Sequence, residues 1–165
     1  MPSPVVPVSL FVALALSAPL RAEDAPITLA PPCATTDDQN DCVRILACIG
    51  SEGNWFNGRA FGRGSGTLAG RTAFGAQCVG RWRSRNAMGL GQADVQCDDG
   101  MEVTVLYYLQ DDYTGTAIGN GRTNRGEFVR AWSGLNVLEY LRDRSAPEGE
   151  NQVFLPCGSQ PIPMS

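Results

Sequence analysis

Apolar and polar positions alternate most regularly in two stretches of the chain. In AQCVGRWRS, residues 76–84, Cys78, Gly80 and Trp82 share one face, and Val79, Arg81 and Arg83 share the other. In GQADVQCDD, residues 91–99, Ala93, Val95 and Cys97 oppose Asp94, Gln96 and Asp98. Setting Cys78 across from Cys97 puts Trp82 opposite Ala93 and Arg81 opposite Asp94. Both inner faces are then apolar and the outer face carries opposite charges. The pattern predicts an antiparallel hairpin stapled by Cys78–Cys97.

Other segments read less symmetrically. MEVTVLYYLQ is apolar on both faces and suits a central strand. TGTAIGNGRT and GEFVRAWSG read as two further strands or a hairpin. NVLEYLRDR reads as a helix over about 137–144, capped by Asn136 with Glu139 three residues on and stopped by Pro147. In TTDDQNDCVRILACIG, Cys42, Ile45, Leu46 and Ile49 recur at helical spacing. That stretch predicts a helix over about 37–49, with Asp37 as its cap and Gly50 at its end. Cys42 and Cys48 then point different ways and do not bridge each other. The expected fold is mainly β: a single small domain, a twisted antiparallel Gly-rich meander over about 53–133 with short flanking helices, disulfide-stapled.

The first residues change the picture of where this domain works. Val8–Leu16 is apolar but too short to span a bilayer, for which about 20 residues are needed. Small residues follow, and Ala22/Glu23 suits signal peptidase. Residues 1–22 therefore read as a signal peptide, 23–35 as a flexible lead-in and 36–165 as the domain. All six cysteines, Cys33, Cys42, Cys48, Cys78, Cys97 and Cys157, lie beyond that junction. An even count behind an export signal predicts three disulfides. Apart from Cys78–Cys97, the pairing stays open. The expected location is periplasmic or secreted, with no membrane span after cleavage.

Composition narrows the chemistry. The chain has no histidine and no lysine, so its 13 basic residues are all arginine. Ser-His-Asp and Cys-His catalysis, Schiff bases and His-ligated metals are excluded. With 17 acids against those arginines, net charge is −4, and a nucleic-acid partner is disfavoured. Arginine and acid fall in blocks: Arg59, Arg63, Arg71, Arg81, Arg83 and Arg85 precede Asp94, Asp98, Asp99, Glu102, Asp111 and Asp112. Pairing across neighbouring strands accounts for such blocks. The Asp98-Asp99 and Asp111-Asp112 pairs read as turns, and neither a metal nor another cofactor is expected.

Glycine has a rhythm of its own. Gly62/Gly64/Gly66, Gly89/Gly91 and Gly119/Gly121 each mark a β-like segment, and Trp55 and Trp82 each stand a fixed interval before one of the first two. GNWFNGRAFGRG, with Gly53, Trp55, Gly58, Gly62 and Gly64, resembles the MORN repeat. GRWRSRNAMGLG fits the same pattern, with Arg85 replacing the turn glycine. The resemblance covers about half of the chain beyond Ala22. It implies an antiparallel meander serving as a scaffold or binding surface, with no catalytic residues to carry over. Trp55 is then expected to pack over the Gly62–Gly64 backbone.

Two functions follow. The first is an exported non-enzymatic binding or structural module of the bacterial cell envelope or secretome. Trp55, Phe56, Arg59, Phe61 and Arg63 are its candidate contact residues for an envelope glycan or another envelope protein. The alternative is a carboxylate-based glycan hydrolase. IGSEGNW and NAMGLGQ resemble segments of lytic transglycosylases, which implies Glu52 as the acid, in an apolar setting near Trp55 and Phe56.

Overall fold

A computed structural model describes residues 42–145, 153–159 and 162–164. The expected signal peptide, lead-in, Asp37 and Cys33 lie outside the described residues. Eight antiparallel strands form a closed barrel: β1 (Cys42–Ile49), β2 (Asn54–Phe61), β3 (Ser65–Thr72), β4 (Gln77–Arg83), β5 (Gly91–Cys97), β6 (Glu102–Gln110), β7 (Ala117–Thr123) and β8 (Phe128–Gly134). Each strand pairs with its chain neighbours, and β8 returns to β1 to close the wall, Ile49 facing Val129 and Arg44 facing Gly134. Closure leaves no sheet edge with unpaired backbone groups.

The predicted hairpin stands in its expected register. Cys78 faces Cys97, Trp82 faces Ala93 and Arg81 faces Asp94, and the Cys78–Cys97 disulfide is formed. On the outer face, however, Asp94 meets Arg83 at 3.5 Å, one diagonal step from Arg81. β6, β7 and β8 occupy the three segments read as strands.

The helix expected over 37–49 is a correction. Cys42–Ile49 is strand β1. Its apolar positions show no alternation because both faces are covered. Ile45, Ala47 and Ile49 point into the barrel, whereas Leu46 and Cys48 point outward into a second apolar cluster. A strand buried on both sides carries a near-continuous apolar run, which imitates helical spacing. Gly50, at φ +64°, opens the β1–β2 turn instead of ending a helix. Cys42 and Cys48 indeed do not bridge each other: Cys48 pairs with Cys157. Cys42 is disulfide-bonded as well.

The helix near the end of the domain is present as α1 (Val137–Ser145), where Asn136 supplies the first helical acceptor, to the Tyr140 amide. It lies on the outer wall of β1, β7 and β8. Val137 and Leu141 join Leu46, Ile118 and Trp132 in the second cluster. The tail contributes two short paired strands, β9 (Val153–Leu155) and β10 (Ile162–Met164). Val153, Leu155 and Cys157 complete the cluster, with the Cys48–Cys157 disulfide inside it.

Trp55 is the other correction. It opens β2 opposite Cys48 and packs on the outer cluster, at the far end of the strand from Gly62–Gly64. The aromatic that lies over glycine is its neighbour. The Phe56 ring, inside the barrel, occupies the space that side chains at Gly58 and Gly70 would fill. GNWFNGRAFGRG is thus the hairpin expected, with β2 leading through the Gly62–Gly64 turn into β3.

Candidate functional site

The two ends of the barrel differ. At the end bearing the β1–β2, β3–β4, β5–β6 and β7–β8 turns, Ile49, Phe56, Met101 and the Cys78–Cys97 disulfide fill the interior. The cavity left in the core is about 30 Å³, room for about one water. At the opposite end the bore opens into a pocket of about 340 Å³. That volume falls within the range of small-ligand sites, about 300–1,000 Å³.

Trp82, Ala93 and Tyr107 line the depth of this mouth, Val43 and Ala60 one wall, and Leu109 the rim. The β4–β5 turn forms the lip and is held by one side chain. Asn86 Oδ1 accepts from the amides of Met88 (2.9 Å) and Leu90 (3.1 Å), and Asn86 Nδ2 donates to Gln92 Oε1 (3.3 Å). Gln92 Nε2 in turn donates to both Asp94 oxygens. The Met88 and Leu90 amides of this lip are therefore already committed.

Tyr107 differs. Its side chain packs against the interior core, and its hydroxyl has no hydrogen-bond partner among the described residues. Burial pushes the phenol well above the usual tyrosine value, so at neutral pH it is a neutral donor and acceptor in an apolar wall. Just beyond it the β6–β7 register shifts between Tyr107 and Leu109. A bulge of this kind redirects side chains. Tyr108 and Leu109 come to the surface at the rim, each more than half exposed. Met88, at 68 %, and Tyr113, at 81 %, are exposed in the turns of the same end.

The residues expected to bind do not converge. Alternation along β2 sends Phe56 inside and Trp55, Arg59 and Phe61 outside, and Arg63 sits in the β2–β3 turn. Trp55 and Phe61 stand at opposite ends of the strand. Glu52 is exposed on the β1–β2 turn, at the filled end. The two aromatics meant to surround it belong to the outer cluster and the interior core. The mouth residues escaped sequence reading because Val43, Trp82 and Tyr107 come from different strands. The one local signal was the loss of alternation at Tyr107-Tyr108-Leu109.

Asp99 and Asp111 serve turns, as read. Asp99 Oδ1 accepts from the Met101 amide and Asp111 Oδ2 from the Thr114 amide and hydroxyl. Among the described residues no helix is long and apolar enough to cross a membrane.

No family model and no curated protein matches the chain. Two solved structures are similar to it, both redesigned β-barrels bound to DFHBI, mFAP0 and mFAP1. Each is 10% identical with a TM-score of 0.44 over 57% of this chain, covering 95% of the first and 92% of the second.

Proposed function

We propose that the protein is an exported, non-enzymatic binding module of the bacterial cell envelope or secretome that takes a small, mainly apolar ligand in the barrel mouth. The observation that carries this reading is the pocket of about 340 Å³ with the unpartnered Tyr107 hydroxyl in its wall, above a bore that is otherwise filled. Apolar side chains in the wall supply the driving force, and the Tyr107 hydroxyl beside them orients the ligand. The disulfides support an oxidising compartment.

The test is titration with the neutral fluorescent probe N-phenylnaphthylamine. Saturable binding is expected for the wild type. Ala117→Trp, which fills the mouth from β7, should abolish it while far-ultraviolet circular dichroism stays unchanged. Glu52→Gln should bind as the wild type does and, like the wild type, release no fragments from purified peptidoglycan. Absence of saturable binding, or binding lost on changing Phe74 and Phe128 at the filled end but not with Ala117→Trp, overturns the proposal. Cleavage of peptidoglycan by wild type but not by Glu52→Gln would establish the hydrolase instead.

A further inference from the structure

On the outer wall, below the mouth, Arg44 of β1 stands directly opposite Arg59 of β2. Opposing residues in an antiparallel pair project from the same face, with Cβ atoms about 4.5–5.5 Å apart. The two guanidinium stems therefore run side by side. Gly134 faces Arg44 from β8 and Ala69 faces Arg59 from β3, so nothing longer than a methyl flanks the pair in its row.

Neither arginine has a carboxylate within ion-pair distance among the described residues. Arg44 Nη1 donates to Asn57 Oδ1 at 3.3 Å and Arg59 Nη1 donates to the Gly58 carbonyl at 3.1 Å. Both Nε atoms are buried without an acceptor. Burial holds both groups below the ordinary arginine value, and for Arg44 the charge of Arg59 adds to the effect. Like charges directly opposite each other destabilise a sheet, and buried donors left unpaired cost more than donors in water. An anion that accepted from both forks would offset both costs.

We infer that Arg44 and Arg59 form a binding site for a phosphate group on the outer wall of the barrel, separate from the mouth. A tetrahedral oxyanion presents enough oxygens to accept parallel N–H bonds from two guanidinium groups. Asn57, by holding Arg44 Nη1, fixes the direction of one fork. The phosphate is either free or carried on a lipid headgroup.

Nitrogen-15 spectra of the intact domain read the site directly through the arginine Nε–Hε signals. Titration with sodium phosphate at constant ionic strength, against sodium chloride, is expected to shift two of these signals saturably. Arg44→Gln and Arg59→Gln should each abolish the response, and Arg85→Gln should leave it intact. Arg59→Gln is expected to melt at or above the wild-type temperature without phosphate, because it removes like-charge repulsion, and to lose the phosphate-induced rise that linkage predicts for the wild type. A second arm uses flotation with vesicles of phosphatidylglycerol or phosphatidylcholine. Response to inorganic phosphate identifies a free phosphate ligand. Response to phosphatidylglycerol alone, lost in Arg59→Gln, identifies the headgroup. Arg59→Gln should bind the neutral mouth probe normally, so the two sites fail independently. No saturable response in either arm, or an undiminished response in both variants, overturns the inference.

Discussion

The Trp82 indole N–H donates to the Phe61 carbonyl at 2.9 Å, although the two residues lie on strands separated by β3. Gly66 makes this possible. It faces Trp82 in the β3–β4 register, and a methyl there would overlap the Phe61 carbonyl and lie 3.1 Å from the indole nitrogen. Gly66→Ala is expected to destabilise the protein by about 1–3 kcal/mol through overpacking. Trp82→Phe keeps a ring but leaves the carbonyl unpaired, a loss of about 1–3 kcal/mol. Because both changes remove one contact, urea unfolding of the double variant should show less than the sum.

The two resolved disulfides span very different loops, 19 residues for Cys78–Cys97 and 109 for Cys48–Cys157. In the chain-entropy model their removal costs about 3 and about 5 kcal/mol respectively. Cys48→Ala/Cys157→Ala should therefore lower the melting temperature more than Cys78→Ala/Cys97→Ala. The two bonds also hold different parts of the fold. Cys48–Cys157 ties the tail to the outside of the wall, whereas Cys78–Cys97 belongs to the interior core. Limited proteolysis of the first variant should trim the tail and leave the barrel whole.

Adjacent aromatics on β2 should respond unequally to truncation. Phe56 is 6% exposed and its ring fills the space over Gly58 and Gly70. Phe56→Ala should cost about 3–5 kcal/mol. Trp55 is half-buried at the edge of the outer cluster, so Trp55→Ala should cost less. Denaturant midpoints compared at equal slope give the order.

Tyr107 should set an alkaline limit on stability. Its folded-state pKa lies above the unfolded value, since burial penalises the phenolate. Below the unfolded value of about 10 both states hold the proton and its contribution is constant. As pH rises beyond that, the unfolded chain releases the proton while the native one retains it, and stability falls. Tyr107→Phe should flatten this decline above about pH 10. In a phenolate absorbance titration just above that pH it should leave the native amplitude unchanged and reduce only the amplitude gained on unfolding.

Three features of the sequence determined local structure because each carried its own constraint. Cys78, Trp82, Ala93 and Cys97 fixed a hairpin register, since a slip of one residue would turn the apolar face outward. Asn136 and the run after it specified α1 through a cap and a periodic face. Gly62 and Gly64 specified the β2–β3 turn, where Gly64 takes φ +70°. Tertiary structure decided the rest. Whether Cys42–Ile49 became helix or strand depended on what would cover its two faces: the barrel interior on one, α1 and the Cys157 tail on the other. Nothing local to VRILACI names either cover. Closure of the barrel needed β8 to meet β1 across the 78 residues that separate Ile49 from Phe128, a pairing selected by the combined burial of both strands. Only that closure creates a mouth from Trp82, Tyr107 and Val43, since each comes from a different strand. Only the β1–β2 register sets Arg44 beside Arg59. Strand pairing joins residues by distance across the sheet, and the order of residues along a chain does not encode that distance.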